Sequence, residues 1–377
     1  MTQSGKRWII WLMILCLLAV YGCSGSSEPT DAEEEVEQAA EESEAEEQPE
    51  ETCLTPEGMA ASPLTGEWIP EEHARIRPVA MQINNSMVAY PQSGISQAEV
   101  VYETLAEGSI TRLMAVFHLY DAGKIGPIRS ARHYYLDMAS NHDALYMHYG
   151  GSPQAYTYIN QIKAPSLDGI TKPDGVLSWR DPERRAVPRM LEHSVYTSHA
   201  LIDEAWEAAG YRREVRDDFE TGLRFKDAFS PPMGQRADHV VVPFSNAYTS
   251  TFVYDPQVQK YDKWQNDEPH MDELSNSQLA FTNLLIQRTE MYVIPGDDAG
   301  RREVKVIGRG EGTYVSGGRA ISIEWAKENY ASPTQYVEKR TGNPLQINQG
   351  KTYIAIAPEN LNLKLTSSTG QSGAITY

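Results

Sequence analysis

Glu103, Glu107, Arg112, Arg129, Arg132 and His133 put two carboxylates, three guanidiniums and an imidazole close together in the chain. Arg129 and Arg132 stand three apart after Gly126-Pro127, where a helix over Ser130 to Ser140 is expected, so they should share one of its faces. A helix start carries positive potential, and guanidiniums added there make an anion site, each able to hold a carboxylate or phosphate by two parallel hydrogen bonds. The same residues also suit partly buried ion pairs, Arg112 and Arg129 against Glu103 and Glu107, that only orient strands.

Gly150-Gly151-Ser152-Pro153 follows a strand pattern and opens a helix pattern, so its glycines and helix-start amides could approach a ligand. Ser152 could act as a nucleophile, but the glycine two places on that a nucleophile elbow needs is missing; Ser152 as helix cap with Pro153 at the first helical position suits the residue types better. His142 and His148, like His193 and His199, are six apart, which fits no helical metal pair, so no metal and no cofactor is assigned. Asp217-Asp218 and Asp297-Asp298 lie in charged, loop-like surroundings and read as solvated. Tyr134, Tyr135, Tyr146, Tyr149, Tyr156 and Tyr158 crowd one region and suit either sugar rings or the edge of a core.

The elements that must position these residues can be read from apolar runs. Val79 to Ile83, Val100 to Leu105, Leu113 to Leu119 and Ala144 to Tyr149 read as strands. Leu113 to Phe117 is apolar without alternation, as a strand covered on both faces would be. Pro153 to Gln161 and Ser198 to Ala209 read as helices, the second capped by Ser198 and stopped at Gly210. Pro231-Pro232 and Gly234 mark a junction, beyond which strand patterns dominate: Val240 to Val242, Thr251 to Tyr254, Leu284 to Ile286, Val304 to Ile307, Ile321 to Trp325 and Tyr353 to Ile356. Gly308, Gly310, Gly312 and Gly317-Gly318 read as tight turns between neighbouring strands, and Ser367 to Gly373 as a frayed tail. The fold class expected is α/β (α+β), with a mixed α/β N-terminal half and a β-rich C-terminal half.

The 377 residues carry 52 acidic and 33 basic side chains, a formal charge of −19. Thirteen of the carboxylates lie between Glu28 and Glu51, where there is no Lys or Arg; from Leu54 onward 39 acids face 31 bases. A body with that balance lacks the basic excess that nucleic acid would call for. Lys6-Arg7 precede an uncharged run from Trp8 to Val20 that is short for a membrane span and fits a secretory leader. Val20-Tyr21-Gly22-Cys23 has the form of a lipobox, in which Cys23 takes the lipid and becomes the first mature residue; an ordinary cut near Gly22 or an uncleaved anchor are the alternatives. The acidic tract cannot bury enough to offset the entropy of ordering and reads as a spacer, or as an arm for a basic partner. Cys16 falls in the leader, so Cys53 has no intrachain partner. The resulting division is a signal peptide over 1–22, the lipidated Cys and acidic linker over 23–62, an α/β domain over 63–230 and a β-rich domain with a polar tail over 235–377.

Several stretches together resemble the YerB-like bacterial lipoproteins: Pro63-Leu64-Thr65-Gly66, Tyr90-Pro91-Gln92-Ser93-Gly94, Glu107 to Arg112, Gly126 to Arg132 and Gly150 to Pro153. Tyr261-Asp262, Gly317-Gly318 and Ile321 to Trp325 continue the likeness, which runs from about Pro63 to Pro358. The resemblance implies an anchored extracytoplasmic protein of Gram-positive-type bacteria, with two layers of sheet and one of helix, and it carries no reaction with it. Where the family pattern has Asn after Pro188, this chain has His193-Ser194-Val195-Tyr196, so no role is carried to that position.

The expectation is therefore a protein anchored by lipid on the outer face of the cell membrane. Its body is a non-catalytic module for a cell-wall polymer or envelope protein, with Glu103, Glu107, Arg112, Arg129, Arg132, His133, Gly150, Gly151 and Ser152 as candidate contacts. The alternative is an extracytoplasmic enzyme acting on anionic wall polymers; no nucleophile, base and orienting group assemble from the motifs.

Overall fold

Val79 to Met81 shows how the sequence builds its main layer: Val79 and Met81 enter one apolar cluster and Ala80 the other. Successive strand residues point to opposite faces, so an unbroken apolar run must be buried on both sides. A computed structural model describes residues 55–368 and 372–373. The leader, Cys23, the acidic tract and Cys53 lie outside the described residues, as do 369–371 and 374–377.

In chain order the principal strands are β1 (Met59–Ala61), β2 (Trp68–Pro70), β3 (Val79–Asn84), β4 (Val100–Glu107), β5 (Ile110–Phe117), β6 (Leu145–His148) and β7 (Ser166–Asp168). They are followed by β8 (Trp179–Arg180), β9 (Val195–Tyr196), β10 (Gln235–Arg236), β11 (His239–Pro243), β12 (Thr249–Asp255) and β13 (Lys260–Gln265). The last are β14 (Asn283–Thr289), β15 (Gly308–Ser316), β16 (Arg319–Lys327), β17 (Gln335–Glu338), β18 (Thr352–Pro358) and β19 (Lys364–Thr366). The α-helices are α1 (His133–Ser140), α2 (Pro153–Ile162), α3 (Pro182–Ala186) and α4 (His199–Ala209). The body is thus already paired at β1, within the stretch whose composition reads as linker.

Among the described residues the main sheet has eleven strands in the order β10-β16-β15-β14-β18-β4-β5-β3-β6-β7, with β17 also paired to β16. Pairing is parallel at β14/β18, β18/β4, β3/β6 and β6/β7, and antiparallel at the other junctions. One face packs against a second sheet, in which β13, β12, β11 and β19 are consecutive neighbours, and against α4 through Ile202 and Trp206. The other face is covered by α1 and α2, with Tyr134, Tyr135, Leu136, Met138 and Ala155 in its core. This is the expected α+β arrangement of two sheet layers and a helix layer. Both sequence halves supply strands to the main sheet, and residues 53–377 form one compact unit that holds both apolar clusters whole. The body therefore has what it needs to fold without the residues before it.

Three local expectations are corrected. Gly308, Gly310 and Gly312 lie inside β15 rather than in turns; only Gly317-Gly318 turns the chain, into β16. A Cβ on Gly312 would stand 2.7 Å from the Ile286 carbonyl of β14, and one on Gly310 2.8 Å from the Arg288 carbonyl. Neighbouring backbone thus demands glycine there. Helix α1 begins at His133, with Arg132 as its cap, because the segment before it pairs elsewhere: Arg129 N–H donates to Gln82 O (3.0 Å) and Ala131 N–H to Gly150 O (2.8 Å). Arg129 is consequently not on the helix. The strand expected at Val304 to Ile307 is instead Arg302–Val304.

Candidate functional site

The period of two divides the predicted cluster between the two faces of the main sheet. In β4 and β5, Thr104 sits opposite Arg112 and Glu103 opposite Leu113, so Glu103 and Arg112 point away from each other. Glu103 is fully buried on the sheet-sheet side. It accepts from Thr111 Oγ1 (2.6 Å), Ser250 Oγ (2.7 Å), Asn85 Nδ2 (3.1 Å) and the Tyr353 hydroxyl, with Lys263 Nζ at 3.8 Å. Burial pushes the Lys263 ammonium down to about 8 against the pull of Glu103. This pair ties the two sheets together.

Glu107 would follow Glu103 onto that face in a regular strand. A bulge between Leu105 and Glu107 re-aims it to the helix side. There it takes Arg112 Nη2 at 2.8 Å and both Nε and Nη2 of Arg132. Burial disfavours its charge, yet the two guanidiniums outweigh this and hold its carboxyl below the usual range. Arg112 also donates to Ser130 O (2.6 Å) and Arg132 to Ala131 O (2.6 Å). His133 is bound to Glu303 (2.9 Å). Arg112 and Arg132 are therefore paired with Glu107 and with backbone carbonyls, and His133 with Glu303.

Arg129 lies apart from them, at the edge where the parallel strands β3, β6 and β7 end. Crevices at such carboxyl ends are the usual ligand sites of α/β sheets. A cavity of about 400 Å³ there is lined by Arg129, Gly150, Gly151, Tyr149, Tyr156, Ile170, Arg180 and Glu192, among others. A second hollow of about 190 Å³ shares Tyr149 and Arg180 with it and adds Lys172 and Arg185. Arg129 holds Glu192 at 2.8 Å, and that bond lowers the Glu192 carboxyl. Arg180, on the β8-β9 hairpin, has no carboxylate partner among the described residues. Its guanidinium sits 5.4 Å from the Tyr149 ring centroid and donates to Leu191 O. Sequence reasoning missed Arg180 and Tyr149 as a pair, since nothing in the spacing of Tyr149 and Trp179-Arg180 announces their contact.

The Gly150-Gly151 backbone lines this cleft, but its amides are largely committed. Gly150, at φ +71°, donates to Asp168 Oδ1 (2.8 Å), and Ser152 N–H goes to Ala131 O (3.1 Å). Ser152 is buried and caps α2, its Oγ accepting from Ala155 N–H at 3.1 Å, with Pro153 at the first helical position. Of the tyrosines, Tyr134, Tyr135 and Tyr146 are fully buried core residues, while Tyr149 and Tyr156 line the cleft. His193 is buried beside it, its Nδ1 2.7 Å from Asn84 Nδ2. Among the described residues no group of three or more His, Cys, Asp or Glu could hold a metal ion.

Comparison with known proteins gives a consistent likeness. Residues 64–212 match the N-terminal domain and residues 240–354 the C-terminal domain of a protein family of unknown function, DUF3048. A Bacillus subtilis (strain 168) protein named "Putative lipoprotein YerB" is 31% identical over 301 residues, covering 79% of this chain and 86% of its own. The crystal structure of YerB protein from Bacillus subtilis superposes with a TM-score of 0.69 at 29% identity, covering 81% of this chain and 99% of that one.

Proposed function

The chain belongs to the DUF3048 family of proteins of unknown function, and from that premise we propose that it is a lipid-anchored protein whose body binds an anionic cell-wall polymer without acting on it chemically. The anchor is the acylated Cys23, which puts the body on the outer face of the membrane with the acidic tract as its spacer. The ligand is a polymer carrying phosphate or carboxylate groups. Arg180 carries this reading: a guanidinium without a carboxylate partner among the described residues, laid over Tyr149 in the same cleft as Arg129. A planar cation in that setting is prepared to take an anion by two parallel bonds. The Glu192 side chain, 65% exposed, can swing away from Arg129 as the polymer enters. A binding role also suits Ser152, whose hydroxyl is occupied in capping α2.

The test is sedimentation of residues 53–377 with purified cell walls, intact or stripped of phosphate polymer. Replacing Arg129 and Arg180 together by Gln is expected to lower affinity at least tenfold and to weaken the dependence on salt, with the melting temperature within about 2 °C. Unchanged binding by the double variant would refute the assignment.

A further inference from the structure

A cavity of about 920 Å³ lies at the opposite edge of the main sheet, where β3, β4 and β18 begin and β5 ends. Its walls are mostly apolar and include Ile69, Leu119, Ile202 and Trp206. His118 lines it too. That residue is only 5% exposed, and among the described residues neither ring nitrogen has a hydrogen-bond partner. The carbonyls of His73 and Ile76 stand near enough to raise its basicity, yet neither completes a hydrogen bond. A buried polar group left unpaired is costly, so its persistence beside a cavity calls for an occupant that pairs with it.

The character of that occupant follows from its surroundings. Burial keeps His118 below its ordinary pKa, hence neutral, with one donor and one acceptor nitrogen. A hydroxylated group offers both complements, whereas a carboxylate or phosphate offers acceptors only. Glu99, in the same wall, accepts from the backbone N–H groups of His118 (2.7 Å) and Leu119 (3.2 Å), and burial raises its carboxyl to about 7. Acidic side chains outnumber Lys and Arg around the cavity by five to three. Arg213 is already paired with Asp203 and laid over Trp206 at 4.9 Å, while Lys351 donates to Ser96 O. An anion would meet an unfavourable field and few free donors. The volume suits a ligand of drug size.

We propose that this cavity binds an uncharged amphiphile, with its hydroxyl-bearing head hydrogen-bonded to His118 and its apolar body against Leu119, Ile202 and Trp206. The site is separate from the Arg129–Arg180 cleft and does not depend on that reading. A glycerol ester and a glycoside share the required chemistry, so both are used as probes.

Residues 53–377 are titrated with 1-decanoylglycerol and decyl glucoside below their micellar concentrations, reading tryptophan fluorescence and calorimetry. Decanoate serves as the anionic counterpart. At least one uncharged probe is expected to bind saturably, at least tenfold more tightly than decanoate, and the tighter of the two identifies the head. His118→Leu should weaken it at least fivefold, and Leu119→Arg should abolish it. Leu119 is 37% exposed, so this variant remains readable if the His118 variant fails to fold. Absence of saturable binding by both uncharged probes, equal binding of decanoate, or undiminished binding by Leu119→Arg would overturn the proposal. Arg129→Gln with Arg180→Gln should leave this binding unchanged, which separates it from polymer recognition.

Discussion

Glu107 shows how one backbone irregularity decides which charges meet. Its attraction to Arg112 and Arg132 could be anticipated from residue type alone, but the face could not, because alternation places Glu103 and Glu107 together until the bulge intervenes. Residue type likewise suggested an anion site and ion pairs as rival readings of one cluster, whose residues the fold separates. Arg112 and Arg132 are internal ties, while Arg129 lines the cleft. Arg180 was illegible because its partner Tyr149 is a tertiary neighbour reached only through the β8-β9 hairpin. Glu107→Gln would leave two guanidiniums, 5% and 10% exposed, without their counter-ion. Breaking such a pair costs about 3–5 kcal/mol. Because the folded-state pKa of Glu107 lies below its ordinary value of 4.5, its contribution is fully present above about pH 4.5 and is lost as pH falls through the lowered value. Urea denaturation between pH 3 and 7 is expected to show a wild-type stability that drops at the acid end, and a variant that is weaker at pH 7 and flatter towards pH 3.

Elements with strong internal signals match their sequence patterns closely. The unalternating run at Leu113 to Phe117 is a doubly covered strand, and α4 has its Ser198 cap and Gly210 stop in place. Patterns failed where distant backbone overrode local chemistry. The stretch Arg129 to Ala131 looks like a helix start but pairs with β3 and with the turn after β6. The glycines of β15 look like turns because the sequence cannot display the β14 carbonyls pressed against them. Gly312→Ala tests this at the level of the strand. The added methyl would meet Ile286 O at 2.7 Å and Ile323 at 3.2 Å, neither free to withdraw without disturbing the centre of the sheet. A loss of about 1–3 kcal/mol is expected in chemical denaturation. A glycine that merely served a loose turn would tolerate the change at much smaller cost.

At the scale of the whole molecule, the order of strands ties the two sequence halves into one body. Strand β18, from the end of the chain, lies between β14 and β4, pairing parallel to both. Without β18 the N-terminal half would expose the edge of β4, and without β4 the C-terminal half would expose the edge of β18. Buried Glu103 meets Lys263 on the second sheet, so either half alone would strand a charge in its interior. The change in texture around Pro231 to Gly234 therefore marks a change in composition along a continuous sheet, from helix-interleaved strands to hairpins. Fragments divided at 230 and 235 are expected to be unfolded or aggregated when made separately, with no cooperative thermal transition. Produced together, they should associate and recover the circular dichroism spectrum and a single transition of the intact body. A cooperative transition in either fragment alone would mean that its portion of the main sheet suffices as a core, and the continuity of β14, β18 and β4 would then be an interface between two independently folding units.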